Sequence, residues 1–293
     1  MDRSKKAARG RGALPSGEAA FRGHYAGLFG ERWPALESAL ALAPDSVAFA
    51  AGEGLEPYYL DSASIFAASC LELPQGSEPA SGGLVLDATG ATGASSAGGL
   101  ILDACAAPGG KSLVLASRLP SGARLVANEL SADRRRRLRD VLDRHLPPSA
   151  RARVEVTGRD AAAMCRRFEA SFDAVLLDAP CSSERHVLAD AAALSAWSPA
   201  RIRALASRQW ALLSSALIML RRGGRLVYST CALSPEENDR VVARALNKYG
   251  AELAIERPLD FPGAEPTEYG LSILPDRARG AGPMFVCRIK KIL

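Results

Sequence analysis

Short apolar runs alternate along the chain with longer segments in which apolar residues recur every three or four positions. The runs fall at residues 100–103, 124–128, 153–157, 172–177 and 225–228, with two more at 251–255 and 284–289. Short, mainly apolar runs of this length are typical of strands buried on both faces of a sheet. Their alternation with helical segments predicts an α/β fold built on a doubly wound, mostly parallel sheet.

Upstream of these strands, the pattern predicts a helical extension. Apolar residues keep helical spacing over residues 19–50, with an interruption at Pro34. A second apolar helix is predicted over residues 64–73. We therefore divide the chain into a helical subdomain at 19–73 and an α/β domain at 100–293.

Two segments of unusual composition flank the helical subdomain. Residues 1–18 are basic and rich in Gly, Ala and Pro, which predicts a flexible segment. Residues 74–99 are rich in Gly, Ser, Ala and Thr and are interpreted as an inserted loop. Within this loop, Val85–Thr89 echoes Ile101–Ala104, as either a local strand or the trace of a duplication.

The first strand of the α/β domain ends in an abrupt turn. Pro108 fixes one backbone dihedral, and Gly109 and Gly110 allow the backbone to approach a ligand closely. Lys111 begins a helix that is predicted to run to Arg118. This order predicts a site for a nucleotide-like cofactor, although neither the G-x-G-x-x-G fingerprint nor a phosphate-binding P-loop is present.

Acidic residues follow later strands at the same edge of the predicted sheet. Glu129 follows the second strand, where an acid is placed to accept hydrogen bonds from ribose hydroxyls. Asp160 and Asp178 follow the third and fourth strands. Ser131 is predicted to cap the helix that comes after Glu129.

The six cysteines are spread along the chain without a C-x-x-C pair, which argues against a zinc site or a disulfide scaffold. A reducing compartment fits this usage, and most of the thiols are predicted to be small buried groups. Cys181 and Cys231 are exceptions, because each follows a predicted strand, the first after Asp-Ala-Pro and the second after Ser-Thr. Both thiols should therefore reach the cofactor edge of the sheet.

Turn residues mark the boundaries of two further helices. Gly223 and Gly224 are predicted to end a long helix over residues 197–220. The tetrapeptide Ser-Pro-Glu-Glu at 234–237 is predicted to begin another helix, with a serine cap, a proline at the first position and acids in the first turn. These signals place the strand at 225–228 between two helices.

Composition narrows the class of protein. Of 293 residues, 48% are hydrophobic, enough for a sizeable core, and no apolar run approaches the roughly 20 residues that span a bilayer. The polar start lacks the apolar centre of a secretory signal, so a cytoplasmic location is expected, with the mitochondrial matrix as the alternative. The net charge of +5 is arginine-rich and suits a polyanionic partner, with six arginines between Arg134 and Arg144 on the helix predicted after Ser131.

The string Asp-Ala-Cys-Ala-Ala-Pro-Gly-Gly-Lys at 103–111 resembles the cofactor motif of the NSUN/RsmB family, which are S-adenosylmethionine-dependent RNA 5-methylcytosine methyltransferases. Asp-Ala-Pro-Cys-Ser-Ser at 178–183 and Ser-Thr-Cys at 229–231 resemble this family as well. The aromatic pattern over 21–34 is similar to the branch that includes the mitochondrial small-subunit ribosomal RNA enzyme. The resemblance implies a class I, Rossmann-like methyltransferase domain over 100–293.

The resemblance also implies roles for individual residues. The methionine end of S-adenosylmethionine would be held by the loop residues Cys105, Ala106, Ala107, Pro108, Gly109, Gly110 and Lys111. Asp160 would bind the adenine amino group, with a helix cap as its competing role, and Arg134 would lie near the cofactor. Asp178, at the cofactor edge, would bind or protonate the target base, and Lys111 would support the site electrostatically.

Methylation of carbon 5 of cytosine requires help, because this carbon is a poor nucleophile. A thiolate that adds to carbon 6 makes the ring an enamine, and the carbon 5 proton must be removed afterwards. The spacing of the two cysteines leaves open which one attacks. In the RNA branch of the family the Thr-Cys thiol forms the adduct, which implies Cys231 as the nucleophile and Cys181 as the residue that assists product release.

The predicted function is formation of 5-methylcytosine in RNA, with small-subunit ribosomal RNA as the substrate that the resemblance implies. Transfer RNA is the alternative substrate, and a catalytically idle RNA-binding assembly factor is the alternative of another class. The presence of both thiols together with Asp178 and Lys111 argues against idleness. We expect a monomer without a metal or membrane contact, and the short helical subdomain leaves target selection open to a partner protein.

Overall fold

The computed structural model describes residues 17–74 and 98–293, together with the backbone of 85–86 and 92–93. Its helices are α1 (Gly17–Phe29), α2 (Trp33–Ala41), α3 (Ser62–Ser69), α4 (Gly110–Ser117), α5 (Ala132–His145), α6 (Pro148–Arg151), α7 (Glu184–Ala189), α8 (Ala191–Ser195), α9 (Pro199–Met219) and α10 (Asp239–Tyr249). Its strands are β1 (Ser46–Phe49), β2 (Tyr58–Asp61), β3 (Val85–Leu86), β4 (Thr92–Gly93), β5 (Leu100–Asp103), β6 (Arg124–Asn128), β7 (Val154–Thr157), β8 (Phe172–Asp178), β9 (Leu220–Thr230), β10 (Leu253–Glu256), β11 (Glu265–Pro266), β12 (Leu271–Ile273) and β13 (Met284–Lys291).

Nine strands of the described chain form one central sheet, in the order β11-β12-β13-β9-β8-β5-β6-β7, with β10 paired to β13. The strands from β7 through β6, β5 and β8 to β9 are parallel, and β13 runs antiparallel to β9. This mostly parallel order confirms the predicted Rossmann-like α/β fold. The strand order reverses between β5 and β8, so a crevice is expected outside their carboxyl ends, where ligands bind in open α/β sheets.

Strand β5 shows why the apolar runs are continuous. Ile101 packs with side chains of α4 and α5 on one face of the sheet, whereas Leu100 and Leu102 pack with those of α9 and α10 on the other. All four residues of β5 are buried. A strand covered on both faces has no solvent side, and therefore shows no polar alternation.

The N-terminal helices pack against the start of α9 through an aromatic cluster, formed by Phe21, Tyr25, Trp33 and Trp197. The rings of Tyr25 and Trp33 are stacked with centroids 5.4 Å apart, and Phe21 meets Trp197 edge-on at 5.3 Å. These aromatics are buried, as their helical spacing predicts. The cluster fixes α1 next to the segment that carries Cys181.

The helical prediction for residues 19–50 is wrong beyond Ala41. The chain forms strand β1 at 46–49, which pairs antiparallel with β2 because its alternating exposure suits a two-stranded ribbon. The break between α1 and α2 falls at Gly30, whose φ is +55°, and not at Pro34. Pro34 lies in the first turn of α2, where its missing N–H is not needed.

The Gly-Gly pair does not end α9, contrary to the prediction. Helix α9 ends at Met219, and Gly223 and Gly224 lie within β9. The pairing of β9 with β8 is irregular there, since the register skips between Leu220 and Arg225. Gly223 has a φ of +77°, which glycine adopts readily. The two glycines therefore allow the irregularity of the strand and do not end a helix.

The tetrapeptide at 234–237 forms a turn, and α10 begins only at Asp239. The turn is closed by the Glu237 backbone N–H, which donates to the Ser234 carbonyl at 3.0 Å. Glu237 cannot serve as an exposed first-turn acid, because its side chain is fully buried beneath the candidate site. The predicted helix start is therefore several residues too early, because Glu237 is buried beneath the candidate site.

Residues 1–16 and most of the inserted segment at 74–99 lie outside the described residues, so the predictions for them stay predictions. Near the sequence echo at 85–89, β3 pairs antiparallel with β4. Among the described helices, none combines the length and apolar content that a membrane crossing requires.

Candidate active site

The glycine turn lies where β5 ends and α4 begins, with Gly109 as the residue before the helix. Gly109 has a φ of +125°, and a Cβ at this position would meet the side chain of Val141 on α5 at 3.0 Å. Only glycine combines that dihedral with this close packing. The turn is thereby held against α5, and its outer side faces a cavity.

This first cavity has a volume of about 120 Å³ and is shared by the glycine turn, β2 and the end of β8. Its walls include the predicted cofactor-loop and strand-end residues Cys105, Ala106, Ala107, Pro108, Gly110, Lys111 and Asp178. Tyr58 and Ser64 complete the wall from the N-terminal segment, and neither was predicted as a site residue. Their signal in the sequence was weak, because both precede the α/β domain.

Asp103 is a further residue of the first cavity that we did not predict to bind the cofactor. Its side chain is almost fully buried, and Oδ2 accepts a hydrogen bond from the Ser112 hydroxyl at 2.6 Å. The other oxygen, Oδ1, has no hydrogen-bond partner. Burial raises the pKa of Asp103 to about 7, against the effect of Ser112. A buried carboxylate oxygen of this kind is a suitable acceptor for a ligand's ammonium group.

A second cavity of about 390 Å³ adjoins the first, and Cys105 lies in the walls of both. Glu129 and Arg134 line it. Glu129 is buried, and its Oε1 accepts from the backbone N–H of Ser131 at 2.9 Å. Arg134 donates to the Ala107 carbonyl at 2.8 Å and lies 3.5 Å from Glu129 Oε2, so it joins the glycine turn to the acid after β6.

Asp160 lies near this cavity, directly before the turn at residues 161–163. Its Oδ1 accepts from the backbone N–H of Ala162 at 3.2 Å and from the Arg208 guanidinium at 3.2 Å. Arg159, Ala161 and Arg208 line the second cavity. Asp160 thus lies beside the cavity, but the helix-cap role is wrong, because a turn follows it and the short 3-10 helix at Met164–Arg166 begins later; its adenine role stays a prediction.

The two strand-end cysteines meet, as their positions predicted. The Sγ atoms of Cys181 and Cys231 are 2.8 Å apart, and both are free thiols. The backbone N–H of Cys231 donates to Cys181 Sγ at 3.2 Å. The parallel pairing of β8 with β9, which sets Asp178 opposite Ser229, brings the following loops together.

Lys111 and Asp178 join the thiol pair to the first cavity. Lys111 Nζ donates to Asp178 Oδ2 at 2.8 Å and to the Ser64 hydroxyl at 3.3 Å. The other carboxylate oxygen of Asp178 accepts from the Ser229 hydroxyl at 2.9 Å. Burial is the largest single effect and would lower the pKa of Lys111, but the charge and hydrogen bond of Asp178, with the charges of Cys231 and Asp103, together raise this pKa. The ammonium therefore remains charged beside the thiols.

The environment distinguishes the two thiols. The pKa of Cys231 is lowered, first by the hydrogen bond from Cys181 and then by the one from Ser183, while burial opposes both and Lys111 helps. The pKa of Cys181 is raised, because it donates to Cys231 and is buried. Cys231 is accordingly the thiol that ionises first, and the thiolate is the nucleophilic form.

A buried carboxylate, Glu184, braces both cysteine loops, and we did not predict it. It accepts from the Ser182 hydroxyl beside Cys181 and, at 3.0 Å, from the backbone N–H of Leu233 beyond Cys231. The Tyr25 hydroxyl of α1 also donates to it. Helical spacing predicted the burial of Tyr25 but gave no signal for this contact, which spans 159 positions of sequence.

A second buried acid, Glu237, supports the same loop. Its Oε2 accepts from the backbone N–H of Ser182 at 3.0 Å and from Gln209 Nε2 at 2.8 Å. Burial, together with the nearby charge of Glu184, raises the pKa of Glu237 to about 7. These two bonds explain why Glu237 lies in a turn under the site instead of in α10.

Comparison with known proteins identifies the family. Residues 93–290, more than half of the chain, match the family described as "16S rRNA methyltransferase RsmB/F". The chain belongs to this family. Ribosomal RNA small subunit methyltransferase F of Aeromonas hydrophila subsp. hydrophila is 39% identical over 214 residues, which cover 71% of this chain and 40% of the relative. The RsmB/F chain spans about two fifths of the length of the curated relatives it matches.

Solved structures agree with this placement of the RsmB/F chain. NSun6 from Pyrococcus horikoshii, solved with SFG, is 26% identical with a TM-score of 0.63, over 81% of this chain and 54% of that one. A methyltransferase homolog protein from the same organism, 22% identical, has a TM-score of 0.65 over 93% of this chain and 94% of its own, and shows the same fold. The NSUN/RsmB resemblance and the expected cofactor, S-adenosylmethionine, are confirmed. Similarity to the mitochondrial branch stays a prediction.

The residues of the two cavities fit S-adenosylmethionine. The unpartnered oxygen of Asp103 suits the methionine ammonium, and the buried carboxylate of Glu129 suits ribose hydroxyls. The small side chains of Ala106 and Ala107, with the turn at Gly110, leave room between these two acids. These two acceptors would therefore meet opposite ends of one elongated ligand.

Replacement of Glu129 by glutamine is expected to weaken S-adenosylmethionine binding by about 10- to 100-fold, the usual value of a hydrogen bond to a charged group. Isothermal titration calorimetry would measure the change. Asp133→Asn is the matched control, because this exposed acid pairs with Arg136 outside the cavity. Equal affinity of Glu129→Gln and wild type would remove Glu129 from the binding site.

Proposed function

We propose that this protein is an S-adenosylmethionine-dependent RNA methyltransferase that forms 5-methylcytosine in small-subunit ribosomal RNA through a covalent cysteine adduct. Family membership and the names of the relatives support the reaction class and the ribosomal substrate. The cysteine mechanism rests on the site itself. One observation carries it: two free thiols meet at the ends of adjacent strands, beside the cavity lined by Lys111 and Asp178.

In the proposed reaction, the Cys231 thiolate adds to carbon 6 of cytosine, and the ring takes up the electron pair. S-adenosylmethionine supplies a methyl group bound to a positively charged sulfur, which carbon 5 then receives. Removal of the carbon 5 proton restores the ring double bond and releases Cys231 as a thiolate. Cys181, which touches Cys231, assists this elimination, and Asp178 binds the base edge.

The function is tested by transfer of labelled methyl groups from S-adenosylmethionine to defined RNAs, followed by bisulfite sequencing. We expect label in small-subunit ribosomal RNA or its assembly intermediates and a single unconverted cytosine. Label in transfer RNA alone would replace the proposed substrate and keep the reaction. Cofactor binding without transfer to any of these RNAs would favour the idle assembly factor.

A basic groove beside the first cavity is suited to RNA phosphates. It has a volume of about 320 Å³ and shares Tyr58 and Pro108 with that cavity. Arg137 and Arg144, two turns apart on one face of α5, line it together with His145 and one acid, Asp140. Its position would place a strand of RNA beside the cofactor loop.

The double variant Arg137→Glu and Arg144→Glu is expected to weaken RNA binding by about tenfold or more at 0.15 M salt and to flatten the salt dependence, because two phosphate contacts are lost. Filter binding at several salt concentrations would measure both effects. The double variant Arg136→Glu and Arg139→Glu is the matched control, since it changes the charge equally at exposed arginines of α5 that do not line the groove. Equal losses in the variant and the control would indicate a general charge effect and no groove.

A further inference from the structure

Ser183 adopts a backbone conformation that is unusual for its residue type. It is the residue before α7, with φ of +55° and ψ of +61°, in the left-handed region. Residues with a Cβ avoid this region, and those that adopt it cluster at functional sites where the surroundings impose it. The conformation therefore suggests that the Ser183 side chain has a function in the site.

The hydroxyl of Ser183 lies within hydrogen-bonding distance of both thiols. Its Oγ is 3.1 Å from Cys231 Sγ and 3.4 Å from Cys181 Sγ. The two sulfurs are themselves 2.8 Å apart, so the three atoms form a triangle. Oγ is also 3.5 Å from the Cys181 carbonyl, the longest of its contacts.

The charged groups around this triangle are few and come from separate elements. Lys111 of α4 and Asp178 of β8 act on Cys231, with opposite effects on its pKa. Glu184 of α7 acts on Cys181. In the described chain, Ser183 supplies the hydroxyl that contacts both sulfurs.

We propose that Ser183 is a positioning residue whose hydroxyl donates a hydrogen bond to whichever of the two cysteine sulfurs carries the negative charge. The proposal rests on the function proposed above and extends it. A serine hydroxyl rotates freely to suit its acceptor, so one donor can serve two sulfurs in turn. No proton leaves the hydroxyl at any stage.

The order of the two hydrogen bonds follows from the reaction. Before attack, the charge lies on Cys231, and hydrogen bonds to the charged form favour it. Once Cys231 is bonded to carbon, its sulfur is neutral and a weak acceptor. Cys181 then gives up its proton to solvent, and the hydroxyl turns to its sulfur, where it stabilises the thiolate that accepts the carbon 5 proton. The backbone N–H of Cys231, which donates to Cys181 Sγ at 3.2 Å, supports the same state.

Two variants separate the hydroxyl from the backbone conformation. Ser183→Ala removes the hydroxyl and keeps a Cβ in the left-handed region. Ser183→Gly also removes the hydroxyl, but glycine adopts the left-handed region without strain. The readout is the pH dependence of iodoacetamide alkylation, with Cys231 and Cys181 quantified separately by peptide mass spectrometry. It requires no RNA, so it is independent of whether the proposed methyl transfer occurs.

Both variants are expected to raise the apparent pKa of Cys231 alike, with alkylation of Cys231 at pH 7 slower by about three- to tenfold. In methyl transfer, both should lower kcat by a similar factor with the Kd for RNA unchanged. An unchanged alkylation profile in both variants would overturn the proposal. A change in Ser183→Ala alone would also overturn it, because the cause would then be the backbone and not the hydroxyl.

Discussion

Cys231→Ala is expected to lower methyl transfer by at least about a thousandfold and to give no covalent protein–RNA complex, whereas Cys181→Ala accumulates that complex. The two substitutions remove neighbouring sulfurs, yet their expected results are opposite. Denaturing gels with labelled RNA would reveal the complex as a retarded band that ribonuclease removes. Methyl transfer would be measured in the same samples.

The reason for the difference lies in the surroundings of each sulfur. Cys231 receives hydrogen bonds from Cys181 and Ser183, and its pKa is lowered by the first of these above all. Cys181, with a raised pKa, keeps its proton when Cys231 attacks. Loss of Cys181 therefore leaves a nucleophile that still adds to the ring, but removes the group that assists its departure.

Cys165→Ala is the matched control for both variants. Cys165 is partly buried and packs against the core at α9, and its backbone N–H donates to the Ser215 hydroxyl. The Cys165→Ala variant should methylate RNA as the wild type does and should form no trapped complex. A trapped complex in Cys231→Ala and none in Cys181→Ala would reverse the two roles.

The elements that follow local rules could be predicted from the sequence. β6 spans Arg124–Asn128 as predicted, and Ser131 caps α5 by accepting from the Arg134 N–H. The glycine turn could be placed because each residue in it has a local reason to be there. Proximity of Cys181 and Cys231 followed from the parallel strand order alone.

The remaining parts of the site depend on contacts between distant segments. Glu237 has the sequence context of a first-turn helix acid, yet it is buried because Ser182 and Gln209 require its oxygens. Tyr25 reaches Glu184 from the far end of the chain. The left-handed conformation of Ser183 likewise has no local signature, since serine does not favour it. Such features follow from tertiary packing, which overrides local preference.

Lys111→Met is expected to raise the apparent pKa of Cys231 by about one to two pH units and to slow its alkylation at pH 7 by about 10- to 100-fold. The ammonium that favours the thiolate is lost, and the carboxylate of Asp178 is left near Cys231 without its partner at 2.8 Å. A thiol with a lowered pKa keeps its thiolate until the pH falls through that pKa. A raised pKa moves the same loss to higher pH, so the variant should recover reactivity only at a higher pH than the wild type.

The double variant Lys111→Met with Asp178→Asn tests this charge argument directly. It removes both charges, so the alkylation pKa of Cys231 should return most of the way toward the wild-type value, even though methyl transfer stays impaired. Ser64→Ala is the control for the packing of the lysine, because it removes the second partner of Nζ and leaves the ion pair intact. If the single and double variants share one raised pKa, the change comes from disturbed packing at α4. If only the single variant is raised, Lys111 helps to keep the nucleophile ionised by offsetting the charge of Asp178.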